Sequence, residues 1–224
     1  MYNGDLRQRQ ASRSQIEIIE LIQVSDMSDV GLMVLAITLA WLAGYRVYLT
    51  AFSLGLASLA GAIELPATLQ VLESPWVLAL SGALTLVEFL ADKIPGVDSL
   101  SDLINTLVRV PGGALLAAGV MAPESGDLSA AWLGVGAGSA FAAHALKSGA
   151  RLLINTSPEP ASNLLTSGVE DVGAVSALLL AFSYPWLALA IAVCIPVGMA
   201  LLLVWLVRRV GRGRRRQAVG NAAR

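Results

Sequence analysis

The segment Ser101-Asp-Leu-Ile-Asn-Thr-Leu-Val-Arg-Val-Pro-Gly-Gly113 matches a second segment, Ser162-Asn-Leu-Leu-Thr-Ser-Gly-Val-Glu-Asp-Val-Gly-Ala174, at a constant offset of 61 positions. The same offset aligns Asp98 with Glu159, and each of these carboxylates follows a proline-containing turn. Both copies place polar side chains within a long apolar region of the chain. The match predicts an internal duplication, and the repeated polar residues are the strongest indication of a functional site in the sequence.

The composition is that of an integral membrane protein. Hydrophobic residues make up 56% of the 224 residues and charged residues only 14%, and the mean hydropathy is +0.69. Between Val30 and Val207 the chain has five Lys or Arg residues, whereas six arginines fall within 208–216. Soluble domains carry about 25% charged residues, so we expect a membrane domain rather than a soluble fold.

Apolar runs of about 20 residues predict an all-α, polytopic transmembrane helix bundle with six core spans. The predicted spans are Arg46–Ile63, Pro75–Asp92, Ser99–Met121, Ala130–Leu153, Ala161–Ser183 and Pro185–Val207. When the arginine-rich C-terminal end is placed in the cytoplasm, the other basic residues fall in the cytoplasmic halves of their helices. The connections around 64–73 and 124–127, which contain no Lys or Arg, then lie outside.

The N-terminal part of the chain leaves two questions open. Residues 1–29 are a polar extension without the apolar central region of a signal peptide, and Met27 is an alternative translation start to Met1. The next segment, Val30–Ala43, has three interpretations. It is a short seventh span, a re-entrant segment, or an extension of the first core helix that bends at Gly44.

The chain is thus divided into the extension at 1–29, a single transmembrane domain at 30–207 and a basic cytoplasmic tail at 208–224. Repeat 1 covers about 75–121 and repeat 2 about 130–183. Because each repeat holds two spans, we expect the copies to share one orientation about a pseudo-two-fold axis along the membrane normal; inverted repeats are the alternative. The basic tail abuts an apolar span, so its expected partner is anionic lipid headgroups and not nucleic acid.

Four strings of residues are similar to those of one known family. They are Gly44-Tyr-Arg-Val-Tyr-Leu-Thr50, Ser74-Pro-Trp-Val-Leu-Ala-Leu80, Val87-Glu-Phe-Leu-Ala-Asp-Lys-Ile-Pro-Gly-Val-Asp98 and Asn155-Thr-Ser-Pro-Glu-Pro160. With them the chain resembles the DUF4126 family of bacterial membrane proteins over about Val30 to Val207. The family has no assigned function, so the resemblance implies a multi-pass protein of the bacterial cytoplasmic (inner) membrane and no particular reaction.

The polar faces of the two repeated helices predict a binding site between the repeats. The predicted residues are Asp98, Asp102, Asn105 and Arg109 in the first copy and Glu159, Asn163, Glu170 and Asp171 in the second. A lipid-facing position would cost several kcal/mol for such side chains, so they are expected to face each other or a wet cavity open to the cytoplasm. The offset makes Arg109 the counterpart of Glu170, which predicts an ion pair of Arg109 with Glu170 or Asp171 that acts as a lock or as a gate.

A second set of charged residues lies on the preceding helix of each repeat. It consists of Glu88 and Asp92 in the first copy and His144, Lys147 and Arg151 in the second. Acidic and basic stripes on equivalent helices predict mutual salt bridges. A cation or proton pathway through the carboxylates, with His144 as a relay near neutral pH, is the alternative.

The sequence gives no support for catalysis, a metal site or a cofactor. Cys194 is the single cysteine, and hydrolase, zinc-protease and phosphate-loop motifs are missing. The glycines at 112–113 and at 134, 136 and 138 are typical of close helix packing. We therefore expect a small transporter or channel for an ion or small polar solute rather than an enzyme. The alternative is a non-catalytic scaffold subunit that binds a membrane-complex partner or a second copy of itself.

Overall fold

The computed structural model describes the backbone of residues 22–23, 27–94, 97–122, 126–155 and 160–222. Within these ranges it describes the side chains of 27–94, 104–122, 126–151, 165–205 and 208–209. Four predicted site side chains, Asp98, Asp102, Glu159 and Asn163, lie outside the described side chains. The same holds for most of the N-terminal extension and for the arginines beyond residue 209.

The described chain is almost entirely helical. The helices are α1 (Asp29–Leu59), a 3₁₀ helix (Ala67–Glu73), α2 (Pro75–Ala91), α3 (Val97–Val120), α4 (Ala130–Asn155), α5 (Pro160–Leu180) and α6 (Pro185–Ala222). Two short strands, β1 (Ile22–Gln23) and β2 (Ile63–Glu64), pair in parallel. This confirms the all-α class, and the bounds of α2 to α5 agree with the predicted helices to within about three residues.

Local sequence explains where these helices begin. The Ser28 side chain caps α1 by accepting a hydrogen bond of 3.2 Å from the Gly31 amide. Helices α2, α5 and α6 each begin at a proline, whose missing N–H matters least in the first turn. The C-terminal helix is longer than predicted, because α6 continues from its apolar part through the basic segment to Ala222.

Two helices are long and apolar enough to cross a membrane by length and composition, α1 and the Pro185–Trp205 part of α6. The 3₁₀ helix and α2 together form a third candidate that is bent by 68°. The surface supports membrane association, because many large apolar side chains are exposed while seven charged side chains are buried. Leu107 is 79% exposed and Leu179 is 77% exposed, whereas Arg109 in the same bundle is fully buried.

Helix α1 is broken at Arg46, where the backbone leaves helical geometry at φ −151° and ψ 76°. A straight helix of this length, 31 residues, would separate its ends by about 45 Å. The strands that flank α1 are instead hydrogen-bonded neighbours. Helix α1 therefore folds into a hairpin with its two ends at one end of the bundle and Arg46 at the opposite apex.

This hairpin agrees with the third interpretation of Val30–Ala43, in which the segment extends the next helix and a bend separates the two parts. The segment is the first arm of α1, continuous with the second arm, which returns toward the side from which the first entered. Both arms pack against α3 at the same level, with the Ala40 carbonyl beside Gly113 and the Val47 side chain beside Gly112. The bend lies two residues beyond the predicted position at Gly44.

The bundle divides into an apolar half and a charged half. The apolar core lies near the two ends of α1 and includes Leu35, Leu54, Leu116 and Phe182. Close helix contacts are made by glycines: a Cβ on Gly44 would lie 2.1 Å from the Ala140 carbonyl oxygen. Of the predicted glycine series on α4, Gly136 makes such a contact with α3, while a Cβ on Gly134 or Gly138 would have no described neighbour within 4 Å.

Candidate functional site

Seven charged side chains meet in the interior at the apex of the α1 hairpin. Each is 2% exposed or less. They come from helices α1 to α5, and one of them is the residue that ends α2. We call this set the charge network; its members are Arg46, Glu88, Asp92, Arg109, Lys147, Arg151 and Glu170. Side chains of these types are rarely buried unless paired, so their convergence needs a specific arrangement of partners.

Asp92 is the centre of the charge network. Its Oδ2 atom lies 2.8 Å from Arg46 Nη2, 3.2 Å from Lys147 Nζ and 3.1 Å from Arg151 Nη2. Asp92 also ends α2, and its backbone carbonyl accepts a hydrogen bond of 3.3 Å from Arg151. One carboxylate oxygen thus has three cationic neighbours from two other helices.

The break in α1 contributes a backbone group to the same site. Lys147 Nζ donates a hydrogen bond of 3.3 Å to the carbonyl oxygen of Tyr45, the residue just before the break. Broken helices inside a membrane bundle are tolerated where such freed carbonyls find partners. Lys147 of α4 therefore stabilises both the broken backbone of α1 and the Asp92 carboxylate.

A second branch of the network runs through Arg109. Its guanidinium forms an ion pair with Glu88 and lies 3.0 Å from His144 Nδ1. A guanidinium can only donate, so Nδ1 accepts and the proton of the neutral imidazole is on Nε2. Nε2 lies 2.6 Å from Thr106 Oγ1, which accepts that proton in a hydrogen bond.

The third branch reaches the edge of the network on α5. Arg151 pairs with Glu170 at 3.2 Å, and Arg46 pairs with Asp171. Asp171 is 20% exposed at its side chain and also lies 3.5 Å from Lys93. Arg46 and Arg151 are therefore each held by one carboxylate of α5 in addition to Asp92.

The structure brings together most of the predicted site residues that it describes. Glu88, Asp92, Arg109, His144, Lys147, Arg151, Glu170 and Asp171 all belong to this one region. The salt bridges expected between the acidic stripe of α2 and the basic stripe of α4 are present. Asn105 lies at the margin, where its Oδ1 accepts a hydrogen bond of 3.1 Å from the Tyr48 hydroxyl.

The ion pair predicted between Arg109 and Glu170 or Asp171 is not among those of the described side chains. Arg109 pairs with Glu88, and Glu170 pairs with Arg151. The offset identifies equivalent positions along two helices, but the rotation and depth of each helix decide which carboxylate lies nearest. Here the acidic partner of Arg109 comes from α2 rather than from α5.

Sequence reasoning missed the role of Arg46 and of Lys93. It placed Arg46 at the cytoplasmic end of a span, because a break inside an apolar run has no proline or charge pair to mark it. The sequence does contain one indication of the role of Arg46. It is the only charged residue between Val30 and Ile63. A single arginine in such a run is costly unless its helix is arranged to bury it among partners.

Not every polar atom of the network has a hydrogen-bond partner among the described residues. The Oε2 atom of Glu88 is buried and accepts no hydrogen bond from the described residues. Glu170 borders a cavity of about 10 Å³, room for one water molecule, which it shares with Tyr45, Ile195 and Pro196. Within the described part of the chain, no group of three His, Cys, Asp or Glu side chains is placed to hold a metal ion.

Comparison with known proteins identifies the family. No curated protein and no solved structure matches the chain. The family described as domain of unknown function DUF4126 matches residues 33–209, which include the whole charge network. The chain therefore belongs to the DUF4126 family.

Proposed function

We propose that this protein is a multi-pass membrane transporter for a small ion or small polar solute, and that the charge network is its substrate site in an occluded state. The observation that carries the proposal is the position of Arg46. It is the residue at which α1 breaks, and its guanidinium lies among the buried charges. Broken helices that meet at buried polar groups are characteristic of transport sites.

The depth of the network supports this function. Trp186 and Trp205 are both exposed on α6, and a helix rises about 28 Å over that interval, close to the ~30 Å thickness of a bilayer's hydrocarbon core. Tryptophans favour the two membrane interfaces. Glu170 shares its cavity with Ile195 and Pro196, which lie midway between these tryptophans on α6. These positions favour a network near the bilayer midplane.

Energetics favour a functional site over a structural one. Replacing a buried ion pair by well-packed apolar side chains is often neutral or stabilising. A charged residue at the centre of a membrane helix costs about 3 kcal/mol on insertion scales. Seven buried charged side chains, with Glu88 Oε2 accepting no hydrogen bond from the described residues, are an expensive way to join helices. Their retention is best explained by a function that needs charge.

The burial of the network favours a transporter over an open channel. Its residues are each 2% exposed or less, and the cavity at Glu170, of about 10 Å³, has room for about one water molecule. Passage then requires a change of conformation in which ion pairs exchange partners. Asp92, with three cationic neighbours, is suited to such an exchange.

The internal duplication gives this transporter a symmetry. We propose that α2–α3 and α4–α5 are equivalent pairs with one orientation, each joined by a proline-containing connection. The offset counterparts Arg109 and Glu170 both lie in the network. The α1 hairpin packs against α3 and α4, one helix from each pair. In this arrangement the basic end of α6, where Arg209 stacks on Trp205 at 5.0 Å, lies in the cytoplasm against anionic lipid headgroups.

The second candidate is a non-catalytic scaffold subunit. The observation that favours it is the extensive ion pairing in a nearly dry interior, which a structural network would also show. The two functions differ in what happens when the charges are removed, since a scaffold tolerates an apolar replacement and a transporter does not.

Reconstitution into liposomes tests the proposal. Wild type, Glu88→Gln and Glu64→Gln are compared for flux of a panel of small ions and solutes, with equal incorporation confirmed by density flotation. Glu64 is the matched control, because it is exposed on β2 at the end of the bundle farthest from the network. We expect flux with wild type and Glu64→Gln and loss with Glu88→Gln. Silence of all three proteins toward the whole panel would refute transport.

A further inference from the structure

We infer that the transported solute is a small monovalent anion, of the size of formate or chloride, and that it binds where the Asp92 carboxylate lies. This inference rests on the proposed function and specifies its substrate. In the occluded state the Asp92 carboxylate then fills the anion site in place of the solute. Its withdrawal is the step that opens the site to the solute.

The geometry around Asp92 Oδ2 is that of an anion site. Three cationic groups converge on this single oxygen, Arg46 at 2.8 Å, Lys147 at 3.2 Å and Arg151 at 3.1 Å. An ordinary salt bridge needs only one of them. These three cations stabilise a negative charge at the position of Asp92 Oδ2. They would do so whether the charge belongs to Asp92 or to a bound anion.

The cations are held in place independently of Asp92. Arg46 pairs with Asp171, Arg151 pairs with Glu170, and Lys147 donates to the Tyr45 carbonyl. These contacts come from α5 and α1, whereas Asp92 comes from α2. If Asp92 withdraws, the three cations keep their positions and lose one negative charge, which one monovalent anion restores.

Asp92 is also the member of the site that is best placed to move. It lies at the end of α2 rather than within a helix, directly before the turn formed by Lys93 and Ile94. Helix α2 is peripheral: its side chains Leu80, Leu86, Val87 and Leu90 are all largely exposed. A shift of α2 against its neighbours would carry Asp92 away together with Glu88, exchanging the Glu88–Arg109 pair but leaving the apolar core packed.

A cation is disfavoured at this point by the same geometry. At the position of Asp92 Oδ2 it would lie next to three cationic groups in an environment that screens charge poorly. A neutral solute would leave those groups without the charge that Asp92 provides. The chemistry of the site therefore selects an anion small enough to replace one carboxylate.

The test is rescue of a truncated carboxylate by a free anion. Asp92→Ala removes the charge and leaves space, and its unfolding temperature in detergent is measured against sodium formate, sodium chloride and sodium gluconate at constant ionic strength. We expect a saturable rise in the melting temperature with formate or chloride that recovers most of the loss, and none with bulky gluconate. Glu88→Ala is the matched control, a buried carboxylate with one ion-pair partner among the described side chains, Arg109, and we expect no rescue.

Equal rescue of Glu88→Ala, or equal effects of all three salts on Asp92→Ala, would overturn the inference. If Asp92→Ala does not fold, wild-type proteoliposomes decide it: an anion-dependent current supports the inference, and a current carried only by cations overturns it while leaving transport intact. Rescue of Asp92→Ala without any flux in wild type would support the anion site and refute the transport function. The two claims can therefore fail separately.

Discussion

Arg46 Nη2 lies 2.8 Å from Asp92 Oδ2, and each of these residues stands where a helix loses its regular geometry. Arg46 is the non-helical residue inside α1, and Asp92 is the residue that ends α2. The ion pair thus joins the apex of a helical hairpin to the C-terminal end of a peripheral helix.

The hairpin shape of α1 predicts how its ends meet the solvent. In a Cys194→Ala background, Ser28→Cys and Ala60→Cys should react with a membrane-impermeant maleimide from the same side of the membrane. Arg209→Cys, in the basic segment of α6, should react only from the opposite side. All three substituted positions are exposed. Reaction of Ser28→Cys and Ala60→Cys from opposite sides would show instead that α1 crosses the membrane.

Gly44 should be intolerant of a methyl group. A Cβ at this position would lie 2.1 Å from the Ala140 carbonyl oxygen, so Gly44→Ala forces α1 and α4 apart and should cost about 1–3 kcal/mol of stability. Gly134→Ala on α4 is the control, because a Cβ there would have no described neighbour within 4 Å. For this control we expect no loss, or a gain of up to about 1 kcal/mol from helix propensity. Thermal unfolding in one detergent measures both, and equal behaviour would contradict the packing described.

Trp41 should anchor α1 to α6. Its indole Nε1 donates a hydrogen bond of 2.8 Å to the Ala192 carbonyl oxygen. Trp41→Phe removes this bond and should lower the free energy of unfolding by about 0.5–1.5 kcal/mol. Trp186→Phe, at an exposed position on α6, serves as the control and should leave stability nearly unchanged. A Trp41→Phe protein as stable as wild type would argue against this contact.

The Glu88–Arg109 pair should show strong coupling. Glu88→Met or Arg109→Leu alone breaks this pair and leaves one of its two charges in the interior, which should cost about 3–5 kcal/mol. The double variant Glu88→Met/Arg109→Leu removes both charges, and we expect it to recover most of that loss. Chemical unfolding of the four proteins gives the coupling energy. Additive losses would mean that the two residues stabilise the fold independently.

The sequence predicted the helices well because their signals are local. Apolar length and the prolines Pro75, Pro160 and Pro185 each act within one element. The salt bridges between the stripes of α2 and α4 were also predictable, since acidic and basic residues on neighbouring helices have few other partners inside a membrane.

The break at Arg46 and the partner of Arg109 could not be predicted in the same way. The break depends on contacts distant in sequence, namely Asp92 and Lys147, that stabilise a backbone geometry the local sequence does not favour. The choice of Glu88 over Glu170 for Arg109 depends on how far each helix is rotated and shifted, which a sequence offset does not contain.

The most direct test of the central claim, that the charge network serves transport and not assembly, is flux through the folded apolar variant Glu88→Met/Arg109→Leu. Wild type and double variant are reconstituted at equal density and followed in the same formate and chloride flux assay. We predict that the double variant is folded, monodisperse and inactive, while wild type transports. Equal flux through both proteins would contradict the claim, because transport would then not need the buried charges.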